Sequence, residues 1–173
     1  MSDIEKNHSV YVGIGSNINQ IFHIKQCIKA LNSRFINIKL SPTYESSSMG
    51  FDGPNFYNLV AFFNTDLQID ELKETLKKIE KENGRSFGEV KFSSRTLDID
   101  ILYYDDLIDE KMNVPRCEIV KFDFVLRPLY DLSPSHIHPI TRKTHYRMLN
   151  ETFYKKMIVN EIDISFIKWI LNI

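Results

Sequence analysis

Arg95-Thr96-Leu97-Asp98-Ile99-Asp100-Ile101-Leu102-Tyr103 is the stretch on which the reading of this chain turns. Side chains alternate between the two faces of a strand. Leu97, Ile99 and Ile101 then share an apolar face, and Asp98 and Asp100 share the opposite one. Their Cα atoms stand ~6–7 Å apart in extended backbone. Two carboxylates that close raise each other's pKa unless a cation intervenes. Magnesium prefers oxygen ligands and commonly takes one or two carboxylates together with substrate phosphates. Arg95, three residues before Asp98, can clamp a phosphate with two parallel hydrogen bonds. A half-exposed strand with acids turned to water has the same spacing, so spacing leaves both readings open.

Working outward, the strand covers 96–104. Before it, Gly84 to Ser94 is turn-rich and carries Arg85 and Lys91, the composition of a mobile cationic loop that closes over phosphates. Ile69, Leu72, Leu76 and Ile79 recur at helical spacing and end at Asn83-Gly84. Phe56 to Phe63 is a strand-sized run, and Ser46 to Pro54 is a loop. Phe35 to Tyr44 alternates as one strand. Ile21, Ile24, Ile28 and Leu31 predict a helix over about 18–34, with Asn17 as its cap. Val10 to Gly15 is a buried strand. The order strand, helix, strand, strand, helix, strand is the βαββαβ pattern of a ferredoxin-like α+β fold. Such a sheet packs both helices on one face and leaves the other for a ligand. Downstream, Phe124 to Leu129 enters a short helix, and weak strand signals lie at Ile158-Val159 and from Ile162 to Ile167.

Other motifs narrow the chemistry. Gly13-Ile14-Gly15-Ser16-Asn17 lacks the third glycine of a dinucleotide fingerprint, and no Gly-Lys-Ser/Thr phosphate loop occurs. Those small residues are read as a strand-to-helix turn. Phe56 and Phe124 are core aromatics or the two walls of a slot for a flat ring, with Asn58 at its edge. His136 and His138, beside Pro134 and Pro139, form a structural turn rather than a metal site. Cys27 belongs to the apolar side of the first helix. No Ser-His-Asp arrangement is apparent.

The chain has 173 residues, enough for one domain spanning 1–173. A net charge of −1 offers no bulk attraction to nucleic acid or an anionic membrane. No run is long enough to span a bilayer, and Met1 to His8 has no apolar signal core. Two cysteines make no disulfide framework, so reduced thiols and a cytoplasmic setting are expected.

Together, Val12 to Asn17, Tyr44 to Asn58, Arg85, the Arg95 to Tyr103 block, Pro115, Phe124 to Leu129 and His138-Pro139 resemble the 6-hydroxymethyl-7,8-dihydropterin pyrophosphokinases over about residues 9–150. The resemblance implies two Mg²⁺ ions, with ATP and the pterin alcohol as substrates. Asp98 and Asp100 would hold the metal. Glu80, Arg85, Lys91, Arg95, Ile101, Lys111 and Arg116 would line the ATP site. Ser46, Ser47, Met49, Phe56, Asn58, Asp98 and Phe124 would line the pterin site. Arg85, Arg95, Asp98 and Asp100 would carry the chemistry. The expected assembly is a monomer or weak homodimer.

The chain departs from the family's usual pattern at Phe87, Phe92, Arg116 and Phe122, where a second arginine, a tryptophan, a histidine and another arginine are common. Arg116 can take over a phosphate contact, because its charge is permanent. Two alternatives remain at this level. One is a non-catalytic or low-activity pterin- or nucleotide-binding paralogue. The other is a metal-independent regulatory domain of the same fold, which the Asp98/Asp100 pair opposes.

Overall fold

The computed structural model describes residues 7–85, 93–151 and 154–165. Strand β1 (His8–Ser16) is central, paired antiparallel with β5 (Asp98–Tyr104) on one side and β4 (Phe56–Thr65) on the other. The next row beyond β4 is broken into β2 (Ile36–Leu40) and β3 (Thr43–Ser46), and β6 (Ile158–Ile162) extends β3 at the edge. With the β2/β3 row counted once, the first four strands in chain order take the ferredoxin-like arrangement, fourth-first-third-second.

The expected single strand over 35–44 is thus two strands. Pro42 has no N–H to donate to a ladder. Ser41 repairs the gap: its hydroxyl accepts the Val60 N–H at 2.9 Å. Phe35 leaves the row and stacks on Phe63 with ring centres 4.1 Å apart.

Helices α1 (Gln20–Asn32) and α2 (Ile69–Glu82) cover one sheet face. They bury Ile24, Cys27, Ile28, Leu31, Leu72, Leu76 and Ile79 against Val10, Val12, Ile14, Leu59, Ala61, Phe63, Leu97, Ile99 and Ile101. Ile21, read as part of the apolar stripe, is 44% exposed, and His23 takes the inward position instead. Asn17 does not cap α1. Its side chain accepts the Arg95 N–H at 2.6 Å and donates to Pro54 O at 3.1 Å, tying two loops to the end of β1.

The opposite face is not left free. Helices α3 (Asp123–Leu132) and α4 (His145–Glu151) cover part of it, burying Leu126, Leu129 and Met148 against Tyr11, Val60, Leu102 and Tyr103. The register between β1 and β5 shifts at Tyr11/Val12, so that Leu102 and Tyr103 point to the same side. This is a β-bulge. Upstream of it the alternation holds, with Ile99 and Ile101 inward and Asp98 and Asp100 on the α3 face. His136 and His138 lie in the turn before α4, packed with His145 around the Tyr103 ring.

Candidate active site

The uncovered part of the α3 face forms a cleft. Its floor is β1, which runs on through the expected turn: Gly13 and Gly15 are full ladder members, and the chain turns into α1 only at 17–19. Gly13 sits between Asp100 and Val60, and Gly15 between Asp98 and Asn58. A Cβ at Gly15 would stand 3.2 Å from Asn58 Oδ1 and 3.7 Å from Phe56. The missing side chains leave room between the acids of β5 and the polar edge of β4.

Two cavities meet at the acids of β5, and the first of them opens from this floor. The first, about 240 Å³, is lined by Ser46, Ser47, Met49, Phe56, Asn58 and Phe124, and also by Phe51, Val125 and Glu118. Asn58 Nδ2 donates to Ser46 Oγ at 2.8 Å, which orients the amide along one rim. Phe122 stacks on Phe124 at 5.3 Å and 18°, so the hydrophobic residue that departs from the family pattern braces the Phe124 wall. The second cavity, about 290 Å³, lies toward α2 and is lined by Glu80, Arg85, Ile101, Met112 and Val114, with Lys73 and Lys77. Arg95, Asp98, Asp100 and Arg116 line both.

A network of ion pairs organises that shared wall. Arg85 Nη1 donates to Asp98 Oδ1 at 2.7 Å, and Arg95 Nη1 lies 2.8 Å from Asp98 Oδ2. Arg116 Nη2 lies 3.0 Å from Asp100 Oδ2. Arg85 also pairs with Glu80, which faces inward from α2. Glu80 Oε1 accepts the Ile99 N–H at 2.7 Å, so the helix carboxylate holds the strand that carries both aspartates. Burial pushes the Glu80 carboxyl up to about 7, against the pull of that N–H and of Arg85. The Asp100 carboxyl keeps 34% of its surface yet lies deep among protein atoms. That depth, and then the neighbouring Asp98 charge, hold its pKa well above the usual carboxylate range.

The donor set suits a hard divalent cation. Two carboxylates project from alternate positions of one strand into one cleft, and a raised pKa marks a place where added positive charge is favourable. Among the described residues no group of three Asp, Glu, His or Cys forms a closed cage. A magnesium site completed by water and phosphate oxygens needs none.

Lys111 is exposed and lies outside both cavity linings, although its neighbour Met112 enters the second. Lys91, Phe87 and Phe92 fall outside the described residues. Sequence reasoning missed Lys73, Lys77, Phe51 and Glu118. Lys73 and Lys77 share one face of α2 with Glu80 at i, i+4 and i+7, a spacing that could have found them.

The 7,8-dihydro-6-hydroxymethylpterin-pyrophosphokinase model matches residues 11–134. The chain belongs to this family. It is 42% identical over 140 residues to the 2-amino-4-hydroxy-6-hydroxymethyldihydropteridine pyrophosphokinase of Aquifex aeolicus, covering 78% of this chain and 86% of that one. It is 37% identical to a Folic acid synthesis protein fol1 of Pneumocystis carinii, across 78% of this chain but only 19% of that longer protein. Among solved structures, a Plasmodium falciparum HPPK-DHPS chain superposes with a TM-score of 0.67 over 84% of this chain and 43% of that chain at 12% identity, a likeness of fold.

Proposed function

We propose that this protein transfers a pyrophosphoryl group from ATP to the hydroxyl of 6-hydroxymethyl-7,8-dihydropterin, giving AMP and the pterin pyrophosphate on the way to folate. One observation carries the reading: two ligand-sized cavities of different character meet at a single wall of two aspartates and two arginines. That is the layout a two-substrate transfer needs, because the acceptor oxygen and the phosphorus must meet in line.

The first cavity receives the bicyclic pterin. Phe56 and Phe124 supply apolar walls, while Asn58, Ser46, Ser47 and the Met49 backbone offer polar partners to its amide edge. The second receives ATP, with Ile101 and Leu76 against its apolar part and Glu80 at its edge. Arg85, Arg95 and Arg116 turn from carboxylates to phosphate oxygens when the triphosphate enters. Lys111 and Lys91 are assigned to the ATP side by family resemblance alone. Asp98 and Asp100 would hold magnesium, two ions in all, which neutralises the phosphate chain.

The pterin oxygen forms a bond to the β-phosphorus, and the bond from that phosphorus to the oxygen bridging to the α-phosphate breaks. AMP leaves with the electron pair, and the hydroxyl proton passes to Asp98 or water. Charge grows on the phosphate oxygens, which the arginines meet once they have turned to the triphosphate. The reading includes a single domain over 1–173 and a cytoplasmic setting, consistent with Cys27 and Cys117 both being free. It also includes a monomer or weak homodimer.

The test is AMP release from ATP and the reduced pterin, with magnesium and with a chelator. Release that requires both pterin and metal supports the reading. Pterin binding without AMP marks a binding module, and metal-independent release removes the aspartate assignment.

A further inference from the structure

The strand at the end of the described chain, β6, lies outside the matched segment 11–134, and it touches both sides of the first cavity. The Met157 peptide is the bridge. Its N–H donates to both carboxylate oxygens of Asp123, at 2.8 and 2.9 Å, and the next N–H, of Ile158, donates to Asp123 Oδ2 at 3.1 Å. Its carbonyl accepts the Ser47 N–H at 3.1 Å. Ile158 pairs with Ser46 in the β3–β6 ladder. Asp123 opens α3 and precedes Phe124, while Ser46 and Ser47 form the opposite rim.

Asp123 is 7% exposed and Met157 6%, so these bonds are shielded from water. A buried carboxylate accepting from two N–H groups, one of them shared between both oxygens, is a charge-assisted arrangement, stronger than neutral hydrogen bonds. Two backbone bonds reinforce it: Lys155 N–H to Lys121 O at 2.7 Å and Asp123 N–H to Lys155 O at 3.2 Å. None of these residues lines the cavity toward α2.

We propose that Asp123 is a positioning residue for the bicyclic substrate: through the Met157 peptide it fixes the spacing between the Phe124 wall and the Ser46-Ser47 rim. The claim rests on the pterin reading of that cavity. Asp123 touches no substrate, and its effect falls on the pterin side alone.

Asp123→Ala and the milder Asp123→Asn test this. Three quantities are read in each: KM for the dihydropterin, KM for ATP and kcat. Amide exchange at residues 157 and 158 reports whether the bridge has opened. Asp123→Ala should raise the pterin KM about tenfold, with the ATP KM within about twofold and kcat within about threefold. Asp123→Asn keeps one acceptor oxygen and should recover part of the loss. If Asp123→Ala does not fold, the asparagine variant decides alone. Equal factors in both KM values, or an unchanged pterin KM with the 157–158 amides exchanging freely, would overturn the proposal. A wild-type protein that neither binds nor turns over the pterin takes down the functional reading and this one with it. Wild-type turnover with a null effect in both variants removes the positioning role alone.

Discussion

Replacing Asp98 by asparagine sets two effects of different size against each other. Its carboxylate accepts from Arg85 and Arg95 at 2.7 and 2.8 Å and is 24% exposed. Ion pairs that open to solvent are worth about 0.2–1 kcal/mol each. Removing the charge also relieves repulsion with Asp100, roughly 1–2 kcal/mol at that separation and an intermediate dielectric. These contributions oppose each other, so the fold should change by no more than about 1 kcal/mol, a Tm shift of a few degrees for a chain of this length. The reaction has no such compensation. Loss of one preorganised group at a centre of growing charge costs ~100–1,000-fold in kcat, about 2.7–4 kcal/mol. Parallel melting curves and AMP-release rates across a magnesium titration separate the two. AMP release within about threefold of wild type would refute the assignment. A Tm loss beyond about 10 °C would show instead that Asp98 holds the fold.

Arg85→Ala should slow AMP formation at saturating substrates while leaving dihydropterin affinity nearly intact, because Arg85 lines only the cavity toward α2. Equal losses in rate and pterin affinity contradict that. Gly15→Ala should weaken pterin binding about tenfold and spare ATP, since the added methyl stands 3.2 Å from Asn58 Oδ1 and pushes the amide a few tenths of an ångström from its place on the rim. Titration of both ligands by calorimetry checks the split. His138 and His145 are buried, and burial lowers each pKa to about 4, with the charge of His136 adding to it. The unfolded chain then takes up protons near pH 6.5 before the native protein does, so stability is present above that pH and is lost as pH falls toward 4. The slope is at most about 1.4 kcal/mol per pH unit for each histidine. Glu80 and Asp100, whose pKa values burial raises, take up protons in the native state over the same range and oppose that slope. The histidine part is therefore read as the difference in urea midpoints between wild type and a His145→Gln variant from pH 7.5 to 5, and identical slopes would exclude His145 as a source.

The sequence carried the parts of the fold that obey a period. The Leu97-Asp98-Ile99-Asp100-Ile101 alternation and the apolar spacing of α2 both survive in three dimensions. What stayed hidden depends on contacts between distant segments. The division of β2 from β3 follows from Pro42 and from Ser41 reaching Val60, and only the proline is visible locally. Gly13 and Gly15 read as turn residues because small side chains suit turns. Their use as a floor depends on Asp98, Asp100, Asn58 and Val60 arriving from two other strands. Asn17 reads as a cap by position, yet Arg95 and Pro54 claim its side chain first. The aspartates and Phe56 with Asn58 were visible because each stands in or beside a strongly apolar strand. Phe51 sits in an irregular loop, and Glu118 in a single 3₁₀ turn, Cys117–Val120, too short to show a period.

The bulge at Leu102 and Tyr103 has a consequence for how this strand can evolve. It absorbs the one-residue mismatch between the half of β5 that faces the cleft and the half that faces α3 and α4. Deleting Ile99 would make the two aspartates chain neighbours and turn one of them into the hydrocarbon layer. Point changes here can be sampled one at a time, but the count of residues is frozen, and length variation among descendants must be taken up in the connecting loops.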